Sequence, residues 1–169
     1  MGKTVPPERL KRETQMLTEI CQYLKNWFDW NQPKIYGTFQ IADGVITAVS
    51  GEDLGIQDGQ YFRIIDSTFN DGVWKYGDTD NATNMKGETF SGSVWLLAIP
   101  REIIALSDEM DEWMKQYGGV NSPNMSPYSS ESFGGYSYSK AQGYASAGGG
   151  MLNTVFATYA SRLNLYKKL

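Results

Sequence analysis

The chain has 169 residues, a length typical of one domain or of one domain with extensions. It carries 15 Lys and Arg against 19 Asp and Glu, a formal net charge of −4, with no histidine and one cysteine, Cys21. These counts exclude a Ser-His-Asp triad, a Cys-His dyad, a Cys/His zinc site and an intrachain disulfide. Carboxylate, Lys or Tyr chemistry remains open, as does a protein without catalytic activity.

The start of the chain lacks the pattern of a secretory signal. Residues 1–8 contain charges but no apolar run behind them. No stretch of the sequence approaches the roughly 18 apolar residues that cross a bilayer. We therefore expect a protein that is made in the cytosol and does not enter a membrane.

Residues 1–29 form the first predicted unit, an amphipathic core helix from about Pro6 to Asp29. Pro6 and Pro7 suit a first helical turn, and one face of the helix is apolar. Cys21 lies near that face and is expected to be a small packing residue. The apolar positions recur at spacings of three, four and seven and are Leu10, Leu17, Ile20, Leu24, Trp27 and Phe28.

Residues 30–99 change to the alternation of β-strands. The turn Asp43-Gly44 indicates a tight hairpin, and other turns follow at intervals of eight to twelve residues. The segment holds nine acids and four bases. We predict a β-rich insertion, a small barrel or curled sheet, with strands at residues 35–41, 45–49, 60–65, 73–76 and 94–99.

Residues 100–118 read as a second core helix. Pro100 fits its first turn, and Gly118-Gly119 fits its end. Its outer face is expected to be solvated and is acidic, with Glu102, Asp108, Glu109, Asp111 and Glu112.

Residues 119–150 form an extended arm rich in Gly, Ser and Tyr, a composition that is unusual inside a compact domain. Residues 151–169 then form a C-terminal helix with a basic end. Because a long tether precedes this helix, we expect it to lack a partner within its own chain. An amphipathic helix of this kind typically docks into a groove of another protein. The predicted fold class is therefore α+β: two core helices, a β insertion, a long arm and a terminal helix.

Motifs for chemistry are weak. Residues 78–81 resemble the start of a calcium loop, but the next ligand and the glycine are missing, so we predict a polar loop tip and no metal site. A glycosidase-like pair of carboxylates has no supporting spacing, although Trp30, Trp74 and Trp95 offer rings on which sugars stack. The charge of −4 disfavours direct DNA binding, whereas an acidic ring lumen would let DNA slide through.

Four features together resemble the head–tail connector proteins of long-tailed bacteriophages, of the adaptor type that docks beneath the portal. The N-terminal helix is apolar, and the second helix starts at a Pro and ends in Tyr-Gly-Gly. The two others are the run SESFGGYSYS at residues 130–139 and the ending RLNLYKKL at residues 162–169. The strands around FNDGVW, residues 69–74, look like the β insertion of adaptors from phages of Gram-positive hosts.

The resemblance implies a non-enzymatic virion protein without a cofactor, assembled in the host cytoplasm. It implies a ring of about twelve copies that joins the portal to a downstream stopper or tail-completion protein, and DNA would pass through without sequence-specific binding. Phe133, Tyr136 and Tyr138 would belong to an arm that crosses a neighbouring subunit. The portal-docking residues would be Leu152, Val155, Phe156, Tyr159, Arg162, Leu163, Tyr166, Lys167 and Lys168.

Two alternatives stay open. A stopper or tail-completion protein of the same neck would share the phage context but occupy another position. A small acidic module that binds carbohydrate or peptide through exposed Trp and Tyr rings belongs to a different class. Electron microscopy of assembled particles distinguishes the first alternative, and glycan binding by the middle segment would favour the second.

Overall fold

The computed structural model describes residues 13–117, 130–133, 136–139 and 149–169, with side chains described at 13–117 and 152–169. The fold is α+β, as the sequence predicts. The start of the first predicted helix and most of the arm lie outside the described residues. The helices are α1 (Gln15–Leu24), α2 (Asn81–Asn84), α3 (Arg101–Tyr117) and α4 (Gly149–Leu163), which a 3-10 turn (Asn164–Tyr166) extends.

Five strands form one antiparallel sheet with the order β2-β1-β5-β3-β4. The predicted hairpin joins β1 to β2, and Asp43 and Gly44 both adopt the positive φ that its tight turn requires. Because β2 and β4 end the order, the sheet is open and does not close into a barrel. The strands are β1 (Lys34–Ala42), β2 (Val45–Ala48), β3 (Tyr61–Ile65), β4 (Gly72–Lys75) and β5 (Glu88–Leu96).

Several element boundaries differ from the sequence prediction. The first helix ends at Leu24, where Lys25 takes a left-handed conformation with φ 51°, so Trp27 lies in the segment that follows. Strand β5 begins at Glu88 rather than at residue 94, because alternating buried and exposed residues extend it backwards. Helix α4 begins at Gly149, two residues before its predicted start.

Apolar side chains form two cores. The sheet core lies on one face of the sheet and includes Phe39, Phe62 and Trp74. The helical core lies between α1, α3 and α4, reaches Val73 on β4, and contains Cys21 at 0% exposure. The expectation that Cys21 is a packing residue is therefore confirmed.

Helix α3 runs antiparallel to α1 and α4. The backbone N–H of Ala98, just before α3, donates to the carbonyl of Phe28 beyond the end of α1. At the other end of the chain, the N–H of Lys168 donates to the carbonyl of Leu24. The start of α3 and the ends of α1 and α4 consequently meet at one end of a three-helix bundle.

The expectation that the C-terminal helix lacks a partner within its chain is wrong. Val155 and Leu163 are fully buried and Phe156 is 7% exposed, all within the helical core. Burial of such side chains is worth about 1.5–3 kcal/mol each, which outweighs the entropy of closing the long connection from α3. The helix that the sequence leaves detached instead completes the bundle.

Candidate functional site

The residues predicted to dock onto a portal fall into two groups. Val155, Phe156 and Leu163 are buried in the helical core, and three more apolar residues pack partly against it. The cationic members of the set lie at the surface. The partly buried residues are Leu152, Tyr159 and Tyr166, and the exposed cations are Arg162, Lys167 and Lys168.

Polar contacts hold α4 against α3. The guanidinium of Arg162 donates to both carboxylate oxygens of Glu109, at 2.7 and 3.2 Å, and this pairing holds the pKa of Glu109 below its usual range. The hydroxyl of Tyr166 donates to the Glu102 carboxylate, which raises the pKa of that phenol. Two of the five acids on the predicted solvated face therefore bind α4 or the 3-10 turn that follows it.

A groove of about 400 Å³ opens between the second half of α3 and α4. Two aromatic side chains and three carboxylates are among the residues that line it. We call it the acidic groove, and its lining residues are Asp108, Glu109, Glu112, Trp113, Gln116 and Tyr159.

A second surface, of opposite charge, lies at the other end of the bundle. The guanidinium of Arg63 stacks 3.5 Å from the centroid of the Trp27 ring, and the Lys34 ammonium lies 4.0 Å from the centroid of the Trp95 ring. The neighbouring Trp30 is 86% exposed. We call it the basic aromatic surface; it consists of Trp27, Trp30, Lys34, Arg63, Trp95 and Lys168.

Asp29 organises the cations of this surface. Lys34 forms an ion pair with it at 2.7 Å. Partial burial works to raise the pKa of Asp29, but the hydrogen bond from Lys34 and the nearby charges of Lys34 and Lys168 outweigh it, so the pKa lies below its usual value. Burial lowers the pKa of Arg63, and the Nε of that side chain is buried without a hydrogen-bond partner. Because Asp71 also lies near Arg63, the surface keeps an excess of one positive charge.

The tryptophans proposed as a sugar platform do not share one exposed face. Trp74 is 2% exposed, and its indole N–H donates to the carbonyl of Asn70 at 2.7 Å. Trp95 is half-buried against Lys34 and Arg63, two of the cations of the basic aromatic surface. Of the three, Trp30 alone is available to stack on a ligand.

The calcium-like segment folds as a local turn. The Asp78 carboxylate accepts a hydrogen bond from the N–H of Asp80 at 2.9 Å, and the Asn81 amide donates to the carbonyl of Lys75. Within the part of the chain that the structure describes, no three Cys, Asp or Glu side chains cluster as metal ligands do.

The predicted arm residues lie in a separate hairpin. Its strands, β6 (Ser130–Phe133) and β7 (Tyr136–Ser139), pair with each other, with Phe133 opposite Tyr136 and Glu131 opposite Tyr138. The side chains there lie outside the described set. This hairpin is not among the elements predicted from the sequence, although two signals mark it: aromatic and small residues alternate, and Gly134-Gly135 separates the two runs.

Comparison of the chain with protein-family models, curated proteins and solved structures finds no match. Its described helices include none with the length and apolar character needed to span a membrane.

Proposed function

We propose that the chain is a structural connector of a long-tailed bacteriophage, an adaptor whose copies assemble into a ring at the portal. It has no catalytic role in this proposal. The ring would join the capsid to a stopper or tail-completion protein, and DNA would pass through its lumen. The basis of the proposal is the sequence resemblance together with the arrangement of the segments that carry it.

The observation that carries the proposal is the separate hairpin at residues 130–139. This segment holds the most specific part of the resemblance, and it pairs with itself instead of joining the five-stranded sheet. A lone two-stranded hairpin is marginally stable in water. An arm that lies across a neighbouring subunit would give the hairpin the packing that its own two strands do not supply.

Because one face of α4 is buried within its own chain, that face would not be the one that docks onto the portal. Val155, Phe156 and Leu163 hold the helix in the bundle, so the portal would contact the exposed end of the chain instead. Leu165 is 82% exposed there, and Lys167 adds a positive charge. This end offers an apolar contact and a cation to an acidic portal surface.

The test is co-assembly of the full chain with a portal ring, observed by electron microscopy. We expect a ring of the protein against the portal, and we expect Leu165→Asp to weaken it. Val45→Asp is the matched control, because Val45 is also an exposed aliphatic residue, at 51%, but lies on β2. A ring that binds only below another neck protein would identify a stopper, and no assembly with any neck protein would refute the proposal.

A further inference from the structure

We propose that copies of this chain bind one another by placing the basic aromatic surface of one copy on the acidic groove of the next. The side chain of Trp30 would enter the groove between Trp113 and Tyr159. This inference rests on the proposed function insofar as a ring needs a repeated contact, and it identifies the two surfaces that meet.

The basic aromatic surface and the acidic groove lie too far apart to contact each other within one copy of the chain. Trp30 follows the end of α1, close to the start of α3, whereas the acidic groove is lined by residues 108–116 of α3. At 1.5 Å per residue, the start of α3 is about 18 Å from Trp113. A head-to-tail contact between different surfaces repeats from copy to copy and closes into a ring if the rotation allows.

The charges of the two surfaces are complementary. The groove contributes three carboxylates, Asp108, Glu109 and Glu112, and Arg162 and Lys115 bind two of them, which leaves a net charge of −1. The basic aromatic surface has three cations near the two carboxylates of Asp29 and Asp71, a net charge of +1. Opposite charges favour contact between the basic aromatic surface of one copy and the acidic groove of another, whereas two acidic grooves would repel each other.

Trp30 is suited to anchor the contact. Its side chain is 86% exposed, although indole is one of the side chains that gains most from burial. Tryptophan is enriched among the residues that dominate protein interfaces. The acidic groove is an open depression of about 400 Å³ lined by two aromatic rings and three carboxylates, so an indole ring can lie against those rings beside the carboxylates.

Nucleic acid is the competing ligand for cations beside aromatic rings. Three features favour a second copy: the formal charge of the chain is −4, Asp29 lies among the cations, and a complementary groove exists on the same molecule. A phosphate backbone would meet Asp29 as a like charge. We therefore assign the basic aromatic surface to contact between copies.

The experiment measures self-association of the full chain by sedimentation equilibrium at low salt. We expect Trp30→Ala to weaken association ~10-fold or more, as loss of a central anchor does. Tyr36→Ala is the matched control, because Tyr36 is an aromatic residue with 71% exposure on β1, outside both surfaces. Lys168→Glu and Asp108→Lys should each weaken association, and the double variant should recover it.

A disulfide trap gives an independent measurement. A chain with both Trp30→Cys and Gln116→Cys should form covalent species larger than a dimer on oxidation, whereas each single variant, with one accessible thiol, should form at most a covalent dimer. A chain that sediments as a monomer at all concentrations and forms no cross-link would overturn the inference. The inference would also be overturned if Trp30→Ala abolished binding of the chain to duplex DNA but left its self-association unchanged. Portal assembly that persists in Trp30→Ala and the charge-reversal variants would reject this interface alone and leave the proposed function standing.

Discussion

The ring of Tyr23 stacks on the ring of Phe156, with centroids 4.7 Å apart and planes inclined by 14°. The two residues belong to α1 and α4, the first and last helices of the described chain. The Tyr23 hydroxyl also donates to the Asn164 side chain at 3.4 Å, beyond the end of α4. The contact therefore ties both ends of the chain into one bundle.

Phe156→Ala should lower the free energy of unfolding by about 3–5 kcal/mol, because it leaves a cavity in the helical core and removes the stack on Tyr23. Urea denaturation followed by tryptophan fluorescence measures the change. Asn153→Ala is the matched control, since Asn153 is exposed on the same helix, and its effect should be within about 0.5 kcal/mol. Equal stability of the two variants would show that α4 does not belong to the bundle.

Local patterns account for the parts of the fold that the sequence predicts correctly. Helix α3 has its own apolar period and a starting Pro, and the β1–β2 turn needs only the positive φ that Asp43-Gly44 tolerates. The place of α4 is different, because Tyr23 and Phe156 are distant in sequence and no local pattern pairs them. The basic aromatic surface is non-local too: Arg63 and Trp27 meet only after α1 stops at Leu24 and the sheet forms.

The side chain of Thr18 joins α1 to the sheet. Its hydroxyl accepts a hydrogen bond from the N–H of Val73 at 3.0 Å and donates to the Thr14 carbonyl at 3.1 Å, in a buried position. Thr18→Val keeps the volume but leaves the Val73 N–H without this acceptor, so stability should fall by about 1–3 kcal/mol.

Thr18→Ser is the matched control for that prediction, because it keeps the hydroxyl and loses a methyl group. It should cost about 1 kcal/mol. Thermal unfolding by circular dichroism measures both variants. A Thr18→Val protein as stable as the native chain would mean that the hydrogen bond to β4 contributes nothing.

Alanine substitutions at Gly44 and Gly51 distinguish the cost of backbone strain from the cost of a steric clash. Both have positive φ, 77° and 83°, but a Cβ on Gly44 would lie 2.3 Å from the backbone nitrogen of Ala82, whereas a Cβ on Gly51 would meet no atom within 4 Å. Gly51→Ala should cost about 1–2 kcal/mol, the penalty for a left-handed residue. Gly44→Ala should cost clearly more, because α2 must also move away from the hairpin. Equal losses in chemical denaturation would contradict the close approach of Ala82.

Glu88 fixes the segment between β3 and β4. Its carboxylate accepts hydrogen bonds from the Ser67 hydroxyl and, at 2.8 Å, from the Asn70 amide. Burial works to raise the pKa of Glu88, but these hydrogen bonds outweigh it and hold the pKa below its usual range. The side-chain amide of Asn70 also forms hydrogen bonds with the backbone N–H and carbonyl of Lys86. The backbone carbonyl of Asn70 accepts a hydrogen bond from the indole N–H of Trp74, so the Glu88 carboxylate supports the sheet core through Asn70.

The lowered pKa makes the contribution of Glu88 dependent on pH. It is present above the pKa of a glutamate in the unfolded chain and is lost as the pH falls through the lower pKa of the folded state. Glu88→Gln should therefore be less stable than the native chain at pH 7, by about 1 kcal/mol. The difference should shrink as the pH approaches 3. Urea denaturation at several pH values measures it, with the exposed Glu52→Gln as control; a difference that stays constant with pH would show that the charge of Glu88 does not matter.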